Sequence, residues 1–200
     1  MKYIIPMIIL SLVLLSCSKE DEEATTTTEL EGTWESACYT NSDNTSAIVT
    51  PTFAGNVLTI TGEKHSDTSC ATDYRLREES HTFSIGDAGK LLITAGTIKR
   101  TPQSSSAVSD FNSASKCLYN EWELNTAKDC TEADGDQGDN YYCFYQLSGN
   151  TLYVECNESS YPTTSDIDTS DASSTFTKQK ILLVDHCYRI HLRKVGNLYI

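Results

Sequence analysis

Apolar and polar residues alternate along much of the chain, in short segments that are separated by turn residues. Two pairs of such segments flank a Gly-Asn dipeptide: 47–54, Gly55-Asn56 and 57–61, and then 141–148, Gly149-Asn150 and 151–156. Glycine and asparagine supply the positive φ values of a two-residue turn, and the flanking residues are rich in β-branched and aromatic side chains. The pattern therefore predicts two β-hairpins.

Further strands are predicted between the two hairpins, at residues 74–77, 82–85 and 90–99. The apolar residues Tyr74 and Leu76 have even numbers, whereas Phe83 and Ile85 have odd numbers. One face of a strand can hold all four side chains only if a bulge lies near residues 78–80.

Two segments that follow these strands break the alternation. Residues 101–113 are polar and Ser-rich, which predicts a long loop, and we expect a short helix between residues 114 and 129. The sequence therefore predicts an all-β fold with a short helix inside one long connection.

The C-terminal segment differs in charge from the rest of the chain. Residues 178–200 contain 5 basic residues and 1 acidic residue, whereas the preceding part of the chain is strongly acidic. Apolar residues alternate with others from His186 to Arg193, which is typical of a strand with one buried face. Two alternatives stay open: residues 181–193 form a closing strand, or residues 178–200 are a tail appended to a domain that ends near Thr177.

The N-terminal segment has a third pattern, in which Lys2 precedes a nearly unbroken apolar run over residues 3–15. Such a run suits a secretory signal peptide and is too short to span a membrane. Its end, Leu14-Leu15-Ser16-Cys17, resembles the lipobox of bacterial lipoproteins. The resemblance implies a signal peptide at 1–16, a Cys17 acylated with fatty acids such as palmitate, and a flexible tether at 17–28.

The residues after Cys17 resemble sorting signals of such lipoproteins. Ser18 replaces the aspartate that retains enteric lipoproteins in the inner membrane, and Lys19 followed by acidic residues is similar to the surface-export signal of Bacteroidetes lipoproteins. Both resemblances imply anchoring in the outer membrane, and either the periplasmic or the cell-surface face remains open.

The folded part opens at residues 30–34 with the sequence Leu-Glu-Gly-Thr-Trp, which resembles the G-x-W entry of lipocalin-like domains. The resemblance implies an antiparallel meander over residues 29–177 that closes into a lipocalin-like barrel of about eight strands. We predict that these side chains line its interior: Trp34, Leu58, Ile60, Tyr145, Leu147, Leu152 and Val154.

Seven cysteines follow Cys17, which in an oxidising compartment indicates disulfides. With Gly149-Asn150 as the turn, Cys143 lies opposite Cys156 at a close, non-hydrogen-bonded pair within disulfide reach. The predicted pairs are Cys143–Cys156, Cys117–Cys130 and Cys38–Cys70, and Cys187 is left over. A Cys130–Cys143 linkage would instead indicate a different hairpin register.

Charge and motifs exclude several functions. Without residues 1–16 the chain has 14 basic and 28 acidic residues, so binding to nucleic acid or to an anionic membrane surface is not expected. No catalytic or phosphate-binding motif is present, and we predict neither an enzyme nor a cofactor.

Two groups of residues suggest metal ligands, but each has a simpler interpretation. Cys187 and His191 would lie about 13 Å apart along a strand, too far for one metal ion. Residues 134–140 hold three aspartates, but Tyr145 stands where an EF-hand has its closing glutamate. A looser calcium site and a solvated acidic turn remain open for that loop, and we predict no metal.

Two classes of function compete for such a lipid-anchored barrel. The first is a protein that binds a small apolar or amphipathic ligand inside the barrel. The second is a surface interaction protein, such as an adhesin, inhibitor or assembly partner, with a filled barrel and no ligand. A cavity of several hundred Å³ with one open mouth would favour the first class. A protein partner is not identified by the sequence.

Overall fold

The computed structural model of the protein describes residues 28–180. The expectations for the signal peptide, the acylated Cys17, most of the tether, Cys187, and the His186 and His191 side chains therefore fall outside the described residues. The strands are β1 (Gly32–Ser36), β2 (Tyr39–Thr40), β3 (Ser46–Ala54), β4 (Val57–His65), β5 (Asp73–Ile85), β6 (Lys90–Pro102), β7 (Lys128–Asp129), β8 (Asn140–Ser148), β9 (Thr151–Asn157) and β10 (Thr175–Lys178), and the α-helices are α1 (Ser105–Ser113) and α2 (Thr131–Asp134).

Eight of these strands form a closed antiparallel barrel. Neighbours in the sheet follow chain order through β3, β4, β5, β6, β8, β9 and β10, and β1 pairs with both β10 and β3 to close the ring. The two shortest strands lie outside this ring, because β2 pairs only with β3 and β7 only with β6. The structure thus confirms an all-β, lipocalin-like barrel with short helices in a long connection.

The closing position of the barrel is filled by β10. Phe176 pairs with Leu152 of β9 on one side and with Ser36 of β1 on the other. The ring is therefore complete without residues 181–193, the segment for which a closing strand was one of two expectations. The structure of that segment itself lies beyond the described range.

One end of the barrel is closed by turns and by the chain entering β1. The two predicted Gly-Asn turns and the β5–β6 turn meet at this end. Leu30 is fully buried across it, and the indole Nε1 of Trp34 donates a hydrogen bond to the Leu30 carbonyl at 2.7 Å. The hydroxyl of Tyr145 donates to Glu29 Oε1, also at 2.7 Å, which fixes the entering segment to β8.

A single hydrophobic core fills the barrel next to the closed end. It contains these buried residues: Leu30, Trp34, Phe53, Leu58, Phe83, Leu91, Ile93, Cys143, Tyr145, Leu152 and Phe176. Ile60, Leu147 and Val154 pack against it and are partly buried. Burial of this many large side chains is the main source of stability for the closed end.

The strand β5 is continuous at residues 78–80, so the bulge that would have put both apolar pairs on one face is absent there. The β4–β5 pairing is regular from residue 75 to 82, whereas the β5–β6 pairing shifts between Ser80 and Thr82. Two β6 residues, Ala95 and Gly96, lie opposite His81 at this shift. Tyr74 and Leu76 consequently lie on the face opposite to Phe83, and the odd-numbered residues of β5 face the interior throughout.

The connection between β6 and β8 also differs from the expectation. Residues 105–113, part of the predicted loop, form α1. Ser104 caps the N-terminus of this helix, because its hydroxyl accepts a hydrogen bond from the backbone N–H of Ala107. Residues 114–129 contain a single 3-10 turn, Lys116–Leu118, in place of the expected helix. The second hydrophobic cluster joins this insert to β6 and comprises Ile98, Phe111, Cys117, Trp122 and Cys130.

The three predicted disulfides are confirmed. Cys143 and Cys156 are directly opposite in the β8–β9 register, with Cα atoms 4.0 Å apart. Cys117–Cys130 links the 3-10 turn of the insert to the residue before α2. Cys38–Cys70 links the connections on either side of the β3–β4 hairpin.

Candidate functional site

The half of the barrel that lies away from the closed end contains three adjoining cavities. Their volumes are about 370, 270 and 340 Å³. The first shares Ile60 and Ile93 with the second and Val49 with the third, and Arg77 lies between the second and the third. We call these three cavities, which share lining residues, the upper cavity.

The part of the upper cavity nearest the core is apolar. Leu58, Ile60, Leu152 and Val154, four of the residues predicted to line the interior, line this part. Trp34, Tyr145 and Leu147 also lie inside the barrel, but in the core beneath the cavity rather than along it. Asp171, Ser173 and Ser174, from the β9–β10 connection, border the same space.

The middle part of the upper cavity is charged. Arg77, Glu79 and His81 are successive inward-facing residues of β5. Arg77 Nε lies 2.8 Å from Glu79 Oε1, and His81 Nε2 lies 2.9 Å from Glu79 Oε2. The side chains of Glu79 and His81 are 15% and 6% exposed, so this carboxylate is held in a largely desolvated position between two partners.

The imidazole of His81 has both of its nitrogens occupied. Its Nδ1 accepts a hydrogen bond from the backbone N–H of Gly96 at 3.0 Å, which places the proton of the neutral ring on Nε2. Nε2 then donates to Glu79. A ring held in this way fixes the β5–β6 irregularity and has no free nitrogen for proton transfer to a substrate.

The third part of the upper cavity is a polar recess at the open end. It is lined by Arg75 and Arg77 of β5, by Gly62, Glu63 and Lys64 of β4, and, from β2 and the following loop, by Tyr39, Asn41, Ser42 and Asp43. Lys64 forms an ion pair with Asp43 at 2.8 Å, and this hydrogen bond is the largest effect that holds the pKa of Asp43 well below its usual range.

Arg75 is half-buried in this recess. Burial lowers the pKa of its guanidinium, and the positive charges of Arg100 and Arg77 lower it further. Burial and the same arginines also lower the pKa of Lys116 in the insert. Three cationic side chains, Lys64, Arg75 and Arg77, therefore line the recess together with the carboxylates of Asp43 and Glu63.

Arg100 has a carboxylate partner. Its Nη2 donates to Asp134 Oδ2 at 2.7 Å, which connects β6 to α2, and the side chains are 9% and 15% exposed. Asp134 belongs to the acidic segment for which a calcium loop and a solvated turn were both open. Within residues 28–180 no group of three or more His, Cys, Asp or Glu side chains is placed to hold a metal ion.

The charged lining of the upper cavity was missed by the sequence reasoning. Counting back from Phe83 in steps of two gives His81, Glu79, Arg77 and Arg75, so the signal was available. The apolar Tyr74 and Leu76 obscured it, because a bulge near residues 78–80 would have put them on the same face as Phe83. The hydroxyl of Tyr74 instead donates to Asp110 of α1 at 2.7 Å.

A separate cleft of about 480 Å³ lies beside the insert and borders Thr97, Leu118, Tyr119 and Gln137. Leu118 is 83% exposed and has a positive φ of 67°.

Among the described helices, none has the length and hydrophobicity needed to cross a membrane.

Comparison with known proteins adds no relative to this description. No protein-family model matches the chain, and no curated protein matches it. The class of protein is therefore defined by the fold alone: a closed, eight-stranded antiparallel barrel of the lipocalin-like kind, with one closed end and an interior cavity toward the other.

Proposed function

We propose that this protein is a lipid-anchored lipoprotein of the outer membrane that binds a small amphipathic molecule inside its barrel. The upper cavity is the observation that carries the proposal. Its apolar part has the size of small-molecule sites, and its lining combines many apolar side chains with a few convergent polar groups.

The competing proposal, an interaction protein with a filled barrel, is less well supported. Only the part of the interior next to the closed end is filled by the core, and the cavity begins above Leu58 and Leu152. A binding function is also favoured over an enzyme, because Glu79 and His81 use their polar atoms on each other and on the fold.

The proposed ligand binding is tested by native mass spectrometry of the mature protein, extracted gently from its own envelope. We expect a mass increment from a non-covalently bound small molecule that disappears on denaturation. A protein that repeatedly carries no such molecule, and that binds none from a lipid extract of the same envelope, would contradict the proposal.

Anchoring through Cys17 is the second part of the proposal. It is supported by the lipobox-like sequence and by the three disulfides, which suit an oxidising compartment. Replacing Cys17 by Ala should release the processed protein from membranes in a fractionation experiment, because acyl chains are the proposed anchor. Processed Cys17→Ala protein that stays with the membrane would contradict it.

A further inference from the structure

Arg75 is a guanidinium without a partner in the polar recess of the upper cavity. Across residues 28–180, its side chain forms no ion pair and no hydrogen bond, although it lines the recess and is half-buried. A partly desolvated cation that lies near two further cations is unfavourable unless an anion joins it.

Two carboxylates around the recess already have partners. Asp43 is held by Lys64 and by the hydroxyl of Thr45. Glu79 is held by Arg77 and His81. Glu63 also borders the recess, but its side chain is 47% exposed and lies 4.0 Å from His65 Nε2. The negative charge of Asp43 acts favourably on Arg75, yet none of these three carboxylates forms an ion pair with it, so an anion from outside the described residues can join it there.

The recess also has room for an anion next to the arginines. Gly62 is paired with Arg77 and faces the same recess, where any other residue would project a side chain. A Cβ atom built on Gly62 would meet only ordinary contacts, the nearest being Arg77 Cβ at 3.9 Å. The glycine therefore leaves open space, and the backbone does not require it there.

Apolar space begins directly beneath the recess. Val49 lines both the recess and the apolar part of the cavity, and Ile60 and Leu58 are the next inward-facing residues of β4 after Gly62. At about 3.3 Å per residue, the distance along β4 from Gly62 to Leu58 is roughly 13 Å. This length suits an alkyl chain that extends from the recess toward the core.

We propose that the barrel binds a single-chain amphiphile with an anionic head group, the head paired with Arg75 and the alkyl chain in the apolar part of the upper cavity. This inference rests on the proposed ligand-binding function and adds the charge and the orientation of the ligand. A carboxylate suits the planar fork of arginine, which offers two parallel N–H donors.

The first test compares decanoate, decanol and decylamine, which share one alkyl chain and differ in head group. Each is titrated calorimetrically into the disulfide-bonded chain from Ser18 onward, which keeps every described residue. Decanoate should bind at least about tenfold more tightly than decanol, and decylamine should bind most weakly.

The second test removes the charge of Arg75. Arg75→Gln should weaken decanoate about tenfold and leave decanol unchanged. The matched control is Lys99→Gln, which removes the same charge from an exposed position on β6 and should change neither affinity. Gly62→Val should weaken decanoate by filling the recess, and its melting temperature is measured in parallel to show that the variant is folded.

Equal binding of decanoate and decanol would overturn the inference, as would full decanoate affinity in both Arg75→Gln and Gly62→Val. Failure of all three probes to bind would overturn it as well. The proposed function is judged separately by the molecule that the native protein carries, and a neutral or cationic molecule there would support ligand binding while rejecting the anionic head group.

Discussion

Gly96 is a residue that the barrel requires because two backbones approach each other at the β5–β6 irregularity. A Cβ atom at this position would lie 2.0 Å from the Ser80 carbonyl oxygen. The same backbone donates its N–H to His81, so the close approach and the orientation of the imidazole depend on each other.

Gly96→Ala should therefore lower the free energy of unfolding by about 1–3 kcal/mol, the usual cost of forcing extra atoms into a packed site. The matched control is Gly62→Ala on β4, whose new methyl group meets nothing closer than 3.9 Å. That control should change stability by less than about 0.5 kcal/mol. Chemical denaturation measures the free energy of unfolding of both variants, and equal values would contradict the proposed need for glycine at position 96.

Tyr145 links stability to pH through its hydrogen bond to Glu29. Burial, with the hydrogen bond and negative charge of Glu29, raises the pKa of Tyr145 to about 12 from its ordinary 10.0. Because the folded pKa is the higher one, the stabilisation is fully present below pH 10 and is lost as the pH rises toward 12.

Tyr145→Phe should cost about 1.5 kcal/mol at neutral pH, the lower end for a hydrogen bond to a charged group. The difference in unfolding free energy between the wild type and this variant should be constant below pH 10 and should shrink between pH 10 and 12. Tyr153→Phe is the control, because the Tyr153 side chain has no hydrogen bond within residues 28–180. A difference that does not change with pH would refute this prediction.

At the scale of elements, the two Gly-Asn hairpins and the disulfide between Cys143 and Cys156 could be predicted because their signals are local. A two-residue turn fixes the register of its strands, and the register determines which cysteines face each other. The pairs that the register gives, from Ser148 with Thr151 out to Cys143 with Cys156, are those in the structure.

Removing the Cys143–Cys156 bridge with a double alanine variant should cost less than the roughly 3 kcal/mol that chain entropy gives for a loop of this size. Part of this entropy effect is redundant, because the β8–β9 turn already holds the same two residues close together. The matched variant, Cys38→Ala with Cys70→Ala, opens a loop with a sequence separation of 32 instead of 13 and should cost more. Urea titration of both variants measures the order, and the reverse order would contradict it.

The insert between β6 and β8 could not be predicted equally well. The α1 sequence is rich in serine, whose local hydrogen bonds disfavour helix interiors, and its buried residues are only Ala107 and Phe111. The helix is stabilised by its Ser104 cap and by packing of Phe111 against Trp122, with ring centroids 4.9 Å apart. Contacts with Trp122 join residues that are distant in sequence, and alternation patterns do not report them.

For the whole molecule, the sequence predicted the class of barrel but not how it closes or what its cavity contains. The alternation in the C-terminal tail made that tail a candidate for the closing strand. The strand that closes the ring is β10, whose four residues are too few to show a clear period. The charged half of the interior contradicts the usual rule that charges face solvent. Arg77 can lie inside because Glu79 is its partner, and Arg75 can lie there because its recess is at the open end of the barrel.

Truncation after Lys180 tests how the barrel closes. Because β10 ends at Lys178 and the Gln179 backbone N–H still donates to Thr33, the shortened chain keeps every described contact. Its melting temperature should equal that of the full chain. Truncation after Ser174 is the control: it removes β10, exposes the edges of β1 and β9, and should cause aggregation. Unfolding of the chain that ends at Lys180 would show that residues 181–200 are needed for closure.

The shortness of β10 has a consequence for the dynamics of the protein. β10 forms three residue pairs with each neighbour, whereas β3 and β4 form nine. Local unfolding is cheapest where few hydrogen bonds must break, so β10 amides should exchange with solvent deuterium before those of β4. Since Phe176 borders the cavity, this seam would give the proposed ligand an exit whose rate is set by local opening rather than by global unfolding.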